Sequence, residues 1–427
     1  MSEDRALHAF EQLFGPEFGH GRAFDLAPLN RALKALGDPQ EKLPPTIHVA
    51  GTNGKGSTIA FMRAIAEAAG LRVHVFSKPH ILNLRERFRV ANALASDEAL
   101  IAAAGRIAAT NETLTQFEAQ VAAAFLLFAE TPADVALLET GLGGRDDATN
   151  VVAHPVLCVL TPIDLDHQDA LGATLAEIAA HKAGILKPGV PTIVTRQRDE
   201  AQDVIEAEAA RVGATLLQQG IAWDAFAQNG RLVVQTETRM LDLPEPNLVG
   251  AHQVDNAGLA CTALLSLARL SIDDDAFARG VTHAVWPGRM QRLTHGHLAE
   301  LARPFDAEVW IDGGHNAHAA RALMAALAQL NRKRAAKTAL IVGLRARKDW
   351  RAFANALRDA ADLAIAIPLA DGAPPTELAT ALGAHAKTAS DLDSAMQNAL
   401  DLGAERVVIC GSFLLVAKAL SDSAELT

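Results

Sequence analysis

Cysteine, basic charge and long apolar runs are all scarce in this chain, and each scarcity removes a class of function. Only three cysteines occur in 427 residues: Cys158, Cys261 and Cys410. They lie too far apart for the short spacings of a metal site. Cys158 and Cys410 sit inside apolar runs, where packing is the expected role. An odd, sparse set fits a reducing compartment, so a cytoplasmic location is expected. Acidic residues outnumber basic ones, 50 to 39, for a net charge of −11. A general nucleic-acid binder needs a basic face, so that class is disfavoured. An anionic small substrate held by a local basic pocket stays open. No apolar stretch approaches the roughly 20 residues needed to span a bilayer. The acidic start Met-Ser-Glu-Asp-Arg leads into no apolar signal core, so no membrane partner is expected.

Half of the residues are hydrophobic, enough for a large core and for two domains rather than one. Short apolar runs alternate with Ala-rich helical segments, as in Thr46–Ala50, Val73–Phe76, Val135–Glu139, Val156–Thr161 and Val309–Asp312. Continuous apolar strands separated by helices predict an α/β protein with a mostly parallel sheet covered on both faces. Ligands gather at the carboxyl ends of such strands. A boundary is expected within residues 293 to 306, dividing the chain into domains 1–295 and 296–427. Asp242 to Asn247, with Pro244 and Pro246, reads as a loop inside the first domain. No contiguous apolar surface is legible, which makes a monomer the default.

Residues 46 to 57, Thr-Ile-His-Val-Ala-Gly-Thr-Asn-Gly-Lys-Gly-Ser, carry the clearest signal. An apolar strand ends at Gly51 and a helix pattern starts near Lys55. The glycines between let backbone N–H groups turn toward a polyphosphate, and the helix start adds the positive end of its dipole. Lys55 reaches the outer phosphates and the Ser57 hydroxyl is placed for a magnesium ion. Two departures from the standard P-loop stand out: Val49 where the first Gly belongs, and Gly56 between Lys55 and Ser57. A ligand-free glycine turn is the bland alternative, weakened by Lys and Ser both lying at the helix start.

Two further strand ends and one helix-like run carry polar residues. Glu139-Thr-Gly-Leu-Gly-Gly-Arg-Asp-Asp-Ala-Thr-Asn150 puts a carboxylate where magnesium would take oxygen. Thr161-Pro-Ile-Asp-Leu-Asp-His167 offers Asp164, Asp166 and His167 to a second metal, though a lone histidine is more often structural. Lys182, in a helix-like run, is by default solvated; its apolar neighbours Ala179, Ala183 and Ile185 permit a desolvated amine of lowered pKa. Such an amine adds carbon dioxide to become an anionic carbamate.

Together these blocks resemble a known family. Added to them are Pro79-His80 with Arg85-Glu86-Arg87, Thr115-Gln-Phe117-Glu118, Lys182-Ala-Gly-Ile, Gly288-Arg289-Met-Gln, Asp312-Gly-Gly-His315-Asn316 and Cys410-Gly-Ser-Phe. Their order along nearly the whole chain is similar to that of the bifunctional dihydrofolate synthase/folylpolyglutamate synthases of the Mur ligase superfamily. The resemblance implies an N-terminal P-loop ATPase domain and a smaller Rossmann-like C-terminal domain, with the active site in the cleft between them. It implies ATP phosphates on Asn53, Gly54, Lys55 and Gly56, with Ser57, Glu139 and His167 as ligands of two Mg²⁺ ions. Lys55, His167 and a carboxylated Lys182 would be catalytic. Asn256, Arg289, Asp312 and His315 would bind nucleotide. Dihydropteroate would be held by Phe24, Asp25, Leu26, Thr115, Gln116, Phe117, Glu118, Asp146, Asp147 and Ala148. One departure matters: the family's Ser-Pro-His, whose Ser lies near magnesium, is here Lys78-Pro79-His80.

The activity so implied is ATP-dependent ligation of L-glutamate to dihydropteroate and to tetrahydrofolate. The substrate carboxylate attacks the γ-phosphate to give an acyl phosphate and ADP, and the glutamate amine then displaces phosphate. Both first reactants are anionic, so Mg²⁺, Lys55 and Arg289 would offset their repulsion. A folylpolyglutamate synthase alone is the alternative; the Thr115–Glu118 block and the Phe24–Leu26 segment favour both reactions. A Mur-type cell-wall ligase is disfavoured by the 50 residues before Gly51, too few for its extra domain. A nucleotide switch would not need Glu139, His167 and Lys182 at separate strand ends.

Overall fold

The computed structural model describes residues 4–16, 25–358 and 360–421. The chain divides into two compact units. One holds the residues up to Asn247 together with Val254–Val285, and the other holds Leu248–Gln253 with the chain from Trp286 onward.

In the first unit the strands β1 (Thr46–Ala50), β2 (Val73–Phe76), β3 (Phe88–Val90), β4 (Ala93–Leu94), β5 (Val135–Glu139), β6 (Leu157–Leu160), β7 (Pro191–Val194) and β8 (Thr215–Gln218) form one sheet. Its order is β4-β3-β2-β5-β1-β6-β7-β8. The pairings from β2 through β8 are parallel, and β3 and β4 add an antiparallel edge. Strand β1 is buried along its whole length because it lies between β5 and β6. Val49 pairs with Glu139 and Ala50 with Leu160, so the turn after β1 opens between the ends of β5 and β6. This is the switch point where ligands collect in an open α/β sheet.

The helix Lys55–Ala68 covers the sheet and packs on the helix Asp274–His283. On the side of β2 and β5, Phe76, Phe88, Phe125 and Phe128 share a core with Leu29 and Leu33 of the helix Ala27–Ala35. Beyond β8 the chain makes a second, antiparallel sheet from β9 (Trp223–Gln228), β10 (Arg231–Thr236) and β11 (Met240–Pro244), in the order β11-β10-β9. The loop expected over Asp242 to Asn247 is therefore corrected at its start: Asp242 to Pro244 are strand. Leu241 and Leu243 alternate inward with Leu232 and Val234 opposite them, and Pro244 stands at the last pair of the ladder, where a missing N–H costs least. Among the described residues no helix is long and apolar enough to cross a membrane.

The second unit has its own sheet, β12-β13-β17-β14-β15-β16, from β12 (Gln291–Leu293), β13 (Glu308–Asp312), β14 (Thr338–Val342), β15 (Leu363–Ala366), β16 (Ala386–Thr388) and β17 (Arg406–Cys410). All its pairings are parallel except that of β12 with β13. Because β12 pairs with β13, the residues just before the expected change at 295/296 group with the C-terminal sheet. The helix Ala317–Lys333 packs Leu323 and Leu327 into a core with Leu340, Val342 and Phe353. Inside this unit Arg406 is fully buried and is held by Glu308 at 3.1 Å and Asn331 at 2.5 Å.

Candidate active site

The turn after β1 is built for a close ligand. Gly54 has φ of +91°, a left-handed conformation that L side chains rarely adopt, and a Cβ there would stand 2.5 Å from Asn256 Oδ1. Thr52 N–H and Asn53 N–H donate to the Pro162 carbonyl at 3.0 and 3.3 Å, which moors the turn to the segment after β6. No side chain caps the helix that starts at Lys55. Its first N–H groups thus face the mouth of the turn at the positive end of a 14-residue helix. That arrangement fits a polyphosphate, and the buried Ser57 lies on its first turn.

Three lysines and the Glu139 carboxylate gather near the turn. Lys55 Nζ donates to the Gly51 carbonyl at 3.0 Å and the Thr52 carbonyl at 3.2 Å, and lies 3.9 Å from Glu139 Oε1. Glu139 ends β5 buried, and its Oε2 accepts the Lys78 N–H at 3.1 Å. Lys182 is not solvated: it is 6% exposed and its Nζ donates to the same Gly51 carbonyl at 2.8 Å. The helix Leu175–Ala183 is brought there by the Arg145 N–H, which donates to the His181 carbonyl at 2.7 Å. Desolvation, with Lys55 and Lys78 nearby, pushes the Lys182 amine well below its ordinary pKa, against the pull of Asp166 and Asp147. The Lys78 amine falls to about 8, first through desolvation and then through Lys55.

Glu139 and Ser57 are both buried oxygen donors, of the type a hard divalent ion takes. His167 stands on the loop after β6 with φ of +52° and a half-exposed ring, 3.9 Å from Asp166. Among the described residues no group of three or more His, Cys, Asp or Glu could hold a metal alone. An ion here takes further ligands from phosphate and water, as magnesium does.

Of the residues expected to hold the pterin acid, Phe24 lies outside the described residues. Asp25 accepts the Ala27 N–H at 2.9 Å, and Leu26 packs on the core. Thr115 and Glu118 form a capping box: Glu118 Oε2 accepts the Thr115 N–H at 2.7 Å, and Thr115 Oγ1 accepts the Glu118 N–H at 3.2 Å. They hold the helix start that presents Gln116 and Phe117. Gln116 is buried with both amide atoms lacking a partner, as expected where a polar ligand is to supply one. The Phe117 ring lies against Gly141. Asp147 is buried; its Oδ1 accepts from Thr149 N–H at 3.0 Å and Thr149 Oγ1 at 2.5 Å, and its Oδ2 from Leu142 N–H at 2.7 Å. Burial raises its carboxyl pKa despite those bonds. Asp146 faces His181 at 3.7 Å, and Ala148 is buried beside Asp147.

Asn256, in the first unit, is buried on the helix His252–Leu265. The second unit holds the remaining residues expected to bind nucleotide, Arg289, Asp312 and His315. Asp312 ends β13, accepting from Gly314 N–H at 2.8 Å and Met290 N–H at 3.0 Å. Burial raises its carboxyl pKa and Arg289 opposes the rise. The Arg289 guanidinium lies 4.7 Å from the Phe413 ring centre, and His315 Nδ1 lies 3.1 Å from the Gly313 carbonyl. Asn316 caps the next helix through the Ala319 N–H. Three contributors have no role in the sequence reading. His48 Nε2 bonds Thr149 Oγ1 at 2.8 Å behind Asp147, Phe413 backs Arg289, and His252 is pushed to about 4 by burial and by Arg289. A histidine inside the apolar run of β1 was the visible signal for the first.

Comparison with known proteins agrees with this geometry. Residues 49–264 match the Mur ligase middle domain and residues 288–413 the Mur ligase glutamate ligase domain. A Bacillus subtilis dihydrofolate synthase/folylpolyglutamate synthase is 35% identical, over 84% of this chain and 82% of that protein. The Escherichia coli protein of the same name is 32% identical, over 88% and 85%. A crystal structure of a bifunctional folylpolyglutamate synthase/dihydrofolate synthase with Mn, AMPPNP and L-glutamate bound superposes with a TM-score of 0.85 at 34% identity, covering 97% of each chain. The E. coli FolC complex with DHPP and ADP gives 0.84 at 30% identity, covering 98% of this chain and 97% of that one. The chain belongs to the Mur ligase family, among its dihydrofolate synthase/folylpolyglutamate synthases.

Proposed function

We propose that this enzyme joins L-glutamate to 7,8-dihydropteroate and to tetrahydrofolate, using ATP and passing through an acyl phosphate. The observation that carries this reading is the uncapped helix start behind Gly54, with Lys55, Glu139 and Lys182 meeting at the same strand ends. The relatives' names support both reactions over polyglutamylation alone.

A carboxylate is a poor target for an amine, and phosphorylation supplies the leaving group. Asn53 to Gly56 hold the phosphates through backbone N–H groups, and Lys55 leaves its carbonyl partners to meet their outer oxygens. Ser57, Glu139 and His167 hold magnesium, which supplies Lewis-acid neutralisation of the phosphate charge. Lys182, as a carbamate, would turn a buried cation into an anionic ligand for that magnesium. Asn256, Arg289, Asp312 and His315 bind the nucleotide. Gln116, Phe117 and Asp147, with Asp25, Leu26, Asp146 and Ala148, form the pterin side. Thr115 and Glu118 position them. The enzyme acts as a monomer in the cytoplasm.

Incubating the full chain with ATP, magnesium, glutamate and either dihydropteroate or tetrahydrofolate, and reading product mass, tests the assignment. Both acids should gain one glutamate residue, with phosphate released only when acid and glutamate are both present. A glutamylated tetrahydrofolate without any dihydrofolate would reduce the activity to folylpolyglutamate synthesis.

A further inference from the structure

Lys55, Lys78 and Lys182 act on one another electrostatically, yet they are satisfied differently. Lys55 and Lys182 both donate to the Gly51 carbonyl. Lys78 is fixed through its backbone N–H, which donates to Glu139 Oε2, while its ammonium meets no hydrogen-bond acceptor or ion-pair partner among the described residues. Neither carboxylate nearby is aimed at it. Asp147 has both oxygens engaged by Thr149 and Leu142, and Glu139 takes the Lys78 N–H and faces Lys55. The side chain is only partly buried, so the three donors of its ammonium stay accessible to a ligand. The side chain is therefore arranged for an anion that the protein itself does not supply.

The surroundings indicate which anion. Lys78 Nζ lies 5.9 Å from the centre of the Phe117 ring. A phosphate has its own donors in the uncapped helix start and Lys55. A flat aromatic acid, by contrast, matches a ring surface with a cation beside it. We propose that Lys78 binds the reacting carboxylate of the aromatic acid substrate, whose ring lies on Phe117. This rests on the ligase reading above. The ammonium stays protonated and forms no covalent bond. Its charge holds the carboxylate oxygen that attacks phosphorus and lessens the repulsion between the two anions as they meet.

Calorimetric titration of the full chain tests the idea with three ligands: dihydropteroate, its uncharged carboxamide, and AMPPNP with magnesium. The unaltered chain should prefer acid to amide by roughly tenfold or more, as for a hydrogen bond to a charged group. Lys78→Met should erase that preference while leaving AMPPNP affinity within about threefold, on the same scale. Lys78→Arg should keep most of the preference, and intact AMPPNP binding reports that each variant is folded. If Lys78→Met keeps the acid-over-amide ratio, the proposal is overturned. Loss of AMPPNP affinity with the ratio unchanged overturns it as well and assigns Lys78 to phosphate. If the unaltered chain binds AMPPNP but neither acid nor amide, the pterin-acid reading itself falls and takes this proposal with it.

Discussion

At the scale of single residues, chemistry depends on what surrounds an atom more than on its type. Lys182 illustrates this: its sequence neighbours permit desolvation, but the burial comes from Gly51 and the strand ends folded against it. Lowering the pKa of an amine raises the share of it that is neutral and nucleophilic. On the proposed reading that neutral amine would add carbon dioxide, forming an N–C bond and releasing one proton. Lys182→Ala should lower turnover about a hundredfold, the scale of losing a placed charge, and millimolar acetate or formate should restore part of it. Steady-state assays with and without the added carboxylate check this. A variant with full activity, or no extra 44 Da on Lys182 in the mass of the native chain under carbon dioxide, would remove the carbamate. The strand-to-helix turn at Gly54 and Lys55 was legible because it is local. The partners that bury Lys182 and His48 were not, because each lies about a hundred or more positions away.

At the scale of elements, the apolar strands of the two parallel sheets were legible because strands buried on both faces are written as continuous apolar runs. The β9–β11 sheet was harder to read. Its strands bury one face, so Leu232, Val234, Leu241 and Leu243 alternate with polar residues, and two prolines nearby read as a loop. Capping boxes expose a different ambiguity. Thr115 and Glu118 have the sequence form of a helix cap and also fall in a block assigned to substrate. Helix contacts decide a prediction that propensity alone gets backward. Gly280 sits inside the helix Asp274–His283, where alanine would ordinarily stabilise by up to about 1 kcal/mol. A Cβ there would lie 2.4 Å from Ile65 Cα and 2.5 Å from Ile65 N. Backbone cannot rotate aside, so overpacking of about 1–3 kcal/mol should win. Gly280→Ala should lower the urea midpoint of the first unit; a raised midpoint would mean that the two helices do not pack this closely.

At the scale of the whole molecule, the net charge of −11 coexists with a local excess of lysine around one turn, and buried titratable groups tie stability to pH. His48 in the first unit is fully buried and held to about 3, chiefly by desolvation and then by Lys187. His252 in the second is held to about 4. Both folded values lie below the ordinary histidine value of about 6.5. Above pH 6.5 neither state carries the proton and nothing is lost. As pH falls below 6.5 the unfolded chain binds protons that the folded chain refuses, and stability falls until the folded pKa values are reached. Between pH 7 and 5 each histidine should cost about 2 kcal/mol. Asp147 and Asp312 act in the opposite sense, since their folded pKa values are raised and protonation relieves their burial. That relief begins only as the pH falls through their folded values. Thermal unfolding followed from pH 7 to pH 5 should therefore show a falling midpoint. His48→Gln keeps a donor near the Nε2 position but cannot titrate. It should unfold at a lower temperature at pH 7 and then lose less of its midpoint on acidification than the unaltered chain does. Equal slopes for the two proteins would mean that His48 takes up its proton in the folded state near pH 6, and the dry surroundings of β1 would have to be redrawn.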